Sequence, residues 1–415
     1  MRKPYKVIIA GVIGNALENY DYILYANFAL VISKTFFPIT NLYNSLLATF
    51  AIFAVGFFMR PIGAIIFGHI GDKYGRKLSL SLSIILMSLP TALIGILPSY
   101  EKIGLLAPII LVFIRLLQGI SIGGETSGFM TYLMESMPHS NNKALIGSIA
   151  VSSTALGLFF GFFASFICNF YFQENDWAWR VPFLISLPIG IVGIYIRTKL
   201  DESSEFQILK NKRLVAKSPF LELFKNYKKN FFIICGLFIS ISIPFYIFFG
   251  FLSTFLVRVL NYSQLQVSII YLISTFAFGC FAPLSGWLSD RFGIYKVLLS
   301  AIAVFAILIF PIFTLITNND FFLTLAGFMA FIFFITMYQG SVPSLILKIF
   351  PTQVRSIGTA FSFNMVSAFF GGLAPLVLTY LIKATGGYLV IFFYLIASSL
   401  ITLAAIIAGR RYKMF

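Results

Sequence analysis

Apolar residues along the chain come in long unbroken runs, with polar and charged residues gathered into the short intervals between them. A helix needs about 20 apolar residues to cross a bilayer. Runs of that length predict twelve spans, at residues 7–36, 45–67, 78–98, 104–133, 144–171, 180–198, 231–257, 267–288, 295–317, 321–348, 355–382 and 388–409. The one sizeable polar interval, Lys199 to Asn230, carries Asp201, Glu202 and Glu205 ahead of a basic run and divides the spans into two sets of six. The pattern therefore predicts an all-α membrane protein with an N-terminal bundle at 1–198, a linker at 199–230 and a C-terminal bundle at 231–415. Phe206, Leu209, Phe220, Leu221 and Phe224 predict short linker helices lying on the membrane face.

Composition sharpens this. With 59% hydrophobic and 11% charged residues over 415 positions, a soluble domain is excluded. The net charge of +16 points away from a nucleic-acid partner, because the cations sit between spans. If both termini are cytoplasmic, that side holds 23 of the 30 Lys and Arg. The other side holds Lys34, Lys102, Arg180, Arg258 and Lys383, and Arg60 and Arg115 lie within spans. This bias predicts the orientation, with Trp177 and Trp179 as interfacial anchors on the far side. Cys168, Cys235 and Cys280 are isolated in apolar runs, and His69 and His139 fall in predicted loops, so no disulfide framework, metal site or cofactor is expected. The first apolar run follows Arg2, Lys3 and Lys6 but continues through Glu18 and Asp21 without a cleavage site, and is read as a helix.

A charged turn separates the second and third runs: Gly68 to Lys77, Gly-His-Ile-Gly-Asp-Lys-Tyr-Gly-Arg-Lys. Gly286, Asp290 and Gly293 repeat the spacing of Gly68, Asp72 and Gly75, each 218 residues later and so about half the chain on, with Arg291 and Lys296 as basic partners. Gly71 and Gly75 are expected to reverse the backbone, and Asp72 to meet Arg76 or a helix end while Arg76 and Lys77 face headgroups.

These turns resemble the charged loops of the major facilitator superfamily. Gly14–Tyr25, Arg115–Gly128 and Phe350–Pro375 resemble its metabolite:proton symporter branch, which contains proline/betaine, shikimate, citrate and 2-oxoglutarate permeases. The resemblance implies the twelve-helix fold of two six-helix pseudo-repeats. Relatives usually read Glu-Trp-Tyr-Asp-Phe where this chain has Glu18, Asn19, Tyr20, Asp21 and Tyr22, and many carry tyrosine at Thr126. Some proline/betaine relatives have a long C-terminal coiled coil; the few residues after Gly409 weaken the expectation of osmotic sensing by that device.

Candidate chemistry lies in the spans. Glu18 and Asp21 share a face of the first helix, extended by Asn15, Tyr22 and Tyr25. Burial suits such carboxyls to take up and release protons. Arg115, Gln118 and Glu125 form a stripe on the fourth helix, with Arg115 level with the acids. Arg115 is read as charge balance or substrate anchor, and Glu125 with Arg60 as gating partners. The alternative is a static ion network binding the first, second and fourth helices. Gly119/Gly123 and Gly124/Gly128 predict close helix approach. The C-terminal half offers the amides of Gln339 and Asn364 and the rings of Tyr246, Phe245, Phe249 and Tyr338, and the aromatic faces suit a cation.

The sequence thus predicts a secondary transporter, not an enzyme: a monomer in a bacterial inner membrane that carries a small polar solute with protons. A zwitterion such as proline or betaine is favoured over an organic acid, and an uncoupled uniporter or exchanger is the further alternative. Asp72 is expected to clamp one state against the eleventh helix near Arg355 and Ser356, with Arg76, Lys77, Asp290 and Arg291 in the same gating system.

Overall fold

The computed structural model describes residues 4–37, 42–137, 140–172, 175, 177–412 and 414; His139 lies outside them. The described residues contain helices and no strands. Twelve long helices run in order: α1 (Pro4–Asn27, bending at Phe28 into Ala29–Phe36), α2 (Leu42–Lys73), α3 (Arg76–Ile96), α4 (Leu106–Ser136), α5 (Lys143–Tyr171) and α6 (Arg180–Thr198) in the first half. The second half holds α7 (Lys228–Tyr246, then a π turn at Ile247–Phe251 and Leu252–Arg258), α8 (Gln264–Phe292), α9 (Ile294–Ile316), α10 (Phe321–Gln339), α11 (Arg355–Val366, then a π turn at Ser367–Gly371 and Ala374–Thr385) and α12 (Leu389–Arg411). Among the described residues, nine helices are long and apolar enough to cross a membrane on those grounds alone. α1 is loaded with two acids, and α11 is broken by its π turn.

The two halves repeat one packing scheme. In the first, α2 packs on α4, α1 on α5 and α3 on α6; in the second, α8 packs on α10, α7 on α11 and α9 on α12. Across the halves α2 lies along α11 and α5 along α8, the same contact made twice. Small residues permit the α2–α4 approach. A Cβ on Gly119 would stand 2.3 Å from the Gly56 carbonyl oxygen, and one on Gly123 would stand 2.4 Å from that of Arg60. Side chains such as Leu105, Ile307 and Phe322 are exposed on the outer face, where lipid is the natural solvent.

Four local expectations change. Gly68 to Lys73 is helix, so His69 sits within α2 and the reversal is confined to Tyr74 and Gly75. Gly75 takes φ 120° and its counterpart Gly293 φ 95°, a region that only glycine enters freely. Gly68 and Gly71 serve helix contact instead: a Cβ on Gly68 would lie 2.7 Å from Ile357 Cα, and on Gly71 2.4 Å from Ser356 Oγ. The linker helices, Ser204–Asn211 and Pro219–Asn226, turn their apolar faces to the bundle. Phe206 and Leu209 are buried, Phe220 and Phe224 lie 5.3 and 6.0 Å from the Phe361 ring, and only Leu221 of the five is exposed. Finally, Trp177 is exposed as an anchor would be, but Trp179 packs inside against Phe28, Phe36 and Phe183.

Candidate functional site

Among the polar clusters that the described residues form inside this apolar bundle, three concern the candidate site. The first lies wholly in the first half. Asp21 of α1 is fully buried and accepts from Arg115 Nη1 at 2.9 Å, Gln118 Nε2 at 2.9 Å and Thr91 Oγ1 at 3.0 Å. The Tyr25 ring stacks 3.6 Å from the Arg115 guanidinium carbon. The expected meeting of the first and fourth helices is thus present, with Thr91 of α3 as an added donor. Desolvating both charges is costly unless each is well bonded, yet Arg115 Nε and Nη2 and Gln118 Oε1 have no partner. Arg115 and Gln118 border a cavity of about 20 Å³ that also touches Arg60 and Tyr22. A polar space of that size suffices for one water.

The second cluster lines a cavity of about 70 Å³ between the halves. Glu18, Asn19, Tyr22 and Arg60 face it from one half, and Phe245, Tyr246, Gln339 and Ser367 from the other. Glu18 accepts from Thr126 Oγ1 at 2.8 Å. Arg60 Nη1 donates to the Tyr246 hydroxyl at 2.6 Å, and its guanidinium carbon stands 4.1 Å from the Phe57 ring centre. Both π turns sit at this wall. One follows Tyr246 directly, and the other carries Ser367 into the cavity and brings Gly371 so close that a Cβ there would stand 2.2 Å from the Tyr246 ring. Such turns re-aim a helix face and cluster at functional sites; no residue pattern in the sequence announced them.

Several candidate residues stand elsewhere. Arg60 does not meet Glu125, which pairs with Arg197 of α6 and accepts from Ser83 of α3 within the first half. Asn15 donates to the Ala150 carbonyl and to Ser153 and Thr154 of α5. Tyr338 donates to the Leu237 carbonyl at 2.8 Å, and Asn364 to the Gly123 carbonyl of α4 at 2.9 Å. These three tie helices together instead of lining the cavity. Gln339 lines it and donates to the Ile241 carbonyl at 3.2 Å.

The third cluster closes the end that carries the linker. The first N–H groups of a helix lack internal acceptors, and neither α5 nor α11 has a side-chain cap of its own. Asp72 fills that lack for α11, accepting from Ser356 N at 3.0 Å and Ile357 N at 2.8 Å. Asp290 does the same for α5, accepting from Ala144 N and Leu145 N at 2.9 Å each. Each acid therefore caps a helix of the opposite half. Arg76 bridges further, bonding Asp72, the Thr352 carbonyl and Glu135. Arg291 of the second turn, which corresponds to Lys73, is exposed beside Trp287 and Phe292, and Ile294 stands where Arg76 does in the first.

Glu135, at the end of α4, is the centre that sequence reasoning passed over. It accepts from Arg76 Nε at 2.9 Å, Arg355 Nη1 at 2.9 Å and Ser203 Oγ at 2.7 Å, joining both halves and the linker. Glu205 of the linker also pairs with Arg355. Glu202 caps α3 through the N–H groups of Arg76 and Lys77, while Lys77 Nζ donates to the Thr198 carbonyl. Burial pushes the Glu202 carboxyl above its ordinary value, and the N–H donors of Ser203, Lys77 and Arg76 pull it partly back. An acid where a span meets a loop reads as topology in one dimension, so only the fold exposes these roles.

Two pseudo-symmetric six-helix halves, sealed at one end by charge and enclosing a polar cavity, define a membrane transporter. The model of the Major Facilitator Superfamily matches residues 20–375 and 238–413. A "Putative proline/betaine transporter" of Staphylococcus aureus (strain COL) is 35% identical over 413 residues, 96% of this chain and 87% of that protein. The "Proline/betaine transporter" of Escherichia coli (strain K12) is 32% identical over 411 residues, 96% of this chain and 82% of that one. The chain belongs to the Major Facilitator Superfamily. Its fold matches the solved structure of the proton:xylose symporter XylE with TM-score 0.76 at 14% identity, over 99% of this chain and 95% of that chain.

Proposed function

We propose that the chain is a proton-coupled symporter of a small zwitterion of the proline or betaine kind. It works by rocking residues 1–198 against 231–415 about the cavity between them, with 199–230 as the tether. The observation that carries this reading is the Asp21–Arg115 pair: a fully buried carboxylate bonded to a cation that keeps two unpartnered nitrogens beside a small polar space. A buried acid in a span marks a proton relay, and neutralising it frees the arginine. The names of the relatives support the substrate class. So does the cavity wall, where Glu18 offsets Arg60, whereas a di- or tricarboxylate would want an excess of cations. The Lys and Arg bias supports a cytoplasmic linker and cytoplasmic termini, in a bacterial inner membrane.

The test is uptake of labelled proline, betaine, 2-oxoglutarate and shikimate into proteoliposomes under an imposed pH gradient. Proline or betaine should accumulate, and dissipating the gradient should abolish accumulation. Asp21→Asn should lose accumulation but keep exchange across the membrane. Preference for an organic acid, or accumulation that survives loss of the gradient, would overturn the reading.

A further inference from the structure

Among the described residues the buried arginines are paired, with one exception. Arg76 meets Asp72 and Glu135, Arg115 meets Asp21, Arg197 meets Glu125, and Arg355 meets Glu135 and Glu205. Arg60 is only 6% exposed, yet among the described residues no carboxylate stands within ion-pair reach of it. It has a neutral hydroxyl, that of Tyr246, and the face of Phe57, while its Nε is unpartnered. A buried cation is expensive to keep without a counter-ion. Arg60 lines the cavity between the halves, where a counter-ion can arrive from outside the protein.

The same cavity holds the complementary case. Glu18 is 6% exposed and faces the cavity without an ion-pair partner among the described residues, bonded to Thr126 alone. Aromatic rings of Tyr22, Phe245 and Tyr246 complete the wall. Their faces attract a cation, most strongly where water is excluded.

From this geometry we infer that Arg60 anchors the carboxylate of the transported zwitterion, while Glu18 and the surrounding rings receive its cationic end. The inference rests on the proposed zwitterion symport and moves the substrate anchor from Arg115 to Arg60. Arg115 is already engaged with Asp21; Arg60 has no carboxylate within ion-pair reach among the described residues, and Glu18 acts on it only from farther along the cavity wall. In the closed form the cavity of about 70 Å³ has room for a few waters and no more. The ligand therefore requires the halves to part, and the Arg60–Tyr246 hydrogen bond, which spans them, is the contact it would displace.

The test compares each zwitterion with its carboxylate-free analogue: glycine betaine against choline, and proline against pyrrolidine. Equilibrium binding of the four labelled probes to the purified full chain gives two affinity ratios. Wild-type protein should favour both zwitterions. Arg60→Gln should weaken their binding about 10- to 100-fold and bring both ratios close to one, and Arg60→Lys should restore part of each ratio. Glu18→Gln should weaken betaine and choline together and leave their ratio unchanged. If Arg60→Gln does not fold, Tyr246→Phe, which frees the guanidinium from its hydroxyl, replaces it and should alter the ratios several-fold. Wild-type ratios retained in folded Arg60→Gln, or in the Tyr246→Phe substitute, overturn the inference and leave the symport reading standing. If wild-type protein binds neither zwitterion but takes up 2-oxoglutarate or shikimate, the symport reading falls, and this inference with it.

Discussion

Replacing Glu135 with Gln is the sharpest perturbation of the sealed end, because one carboxylate there holds three separate parts of the chain. Glu135→Gln keeps the shape but removes the charge that faces Arg76 and Arg355 and weakens acceptance from Ser203. Removing one partner of a buried ion pair costs about 3 to 5 kcal/mol. Here each arginine retains another acid, Asp72 or Glu205, so the lower figure, about 3 kcal/mol, is the appropriate one. That cost falls on the closed form alone, since opening this end exposes the arginines to water. A shift of this size changes the open-to-closed ratio by about 150-fold, enough to invert any closed preference smaller than it. Spin labels at Tyr74→Cys and Phe292→Cys, both exposed and in opposite halves, would report the change once the three native cysteines are replaced. A longer distance should appear in Glu135→Gln. An unchanged distance distribution in a variant that melts like wild type would refute the reasoning.

Other consequences follow from the same contacts. Asp72→Asn should shift that distance distribution more than Asp290→Asn, since both acids cap a helix but only Asp72 also meets an arginine; equal shifts would deny Arg76 its part. Glu125→Gln should lower stability by about 3 kcal/mol or more without adding a long distance, because its partners Arg197 and Ser83 lie in the same half. Thermal unfolding read beside the spin-label distances checks both parts. For the linker, a docked Glu202 that holds its proton more tightly than an undocked one makes docking strongest at low pH and weaker as pH rises through the docked value. Amide exchange across residues 204–211, corrected for intrinsic rate, should therefore show protection falling as pH rises; protection that grows with pH would contradict it.

The spans were legible because lipid imposes a length on apolar runs that few other contexts demand. The Asp72 contact with α11 was legible too, since an acid flanked by glycines and repeated at one offset leaves little else to explain it. The azimuth of α2 was not. Its sequence is apolar nearly all round, and no stripe says which way Arg60 points. Depth alone made Glu125 a plausible neighbour, whereas the fold turns Arg60 to Tyr246 and Glu125 to Arg197. Glu135 and Glu205 were hidden for a related reason, because their partners are 220 and 150 residues away. The two departures from the family pattern, Asn19 and Thr126, both line the cavity, so the positions where the resemblance weakens are those a solute would touch.

On the roles proposed for Asp21 and Arg60, the proton and solute sites adjoin. The small space beside Arg115 and Gln118 also touches Arg60 and Tyr22, and those two residues continue into the cavity between the halves. Neutralising Asp21 would remove the carboxylate that faces Arg115, raising the positive potential at that shared wall. A carboxylate arriving on Arg60 would lower it again. Each event then favours the other, and thermodynamic linkage requires the two to do so by one common factor. Asp21→Asn should accordingly bind betaine more tightly than wild type. When Arg60→Gln is added to Asp21→Asn, that gain should vanish; a gain that persists in the double variant would mean that the coupling does not run through Arg60.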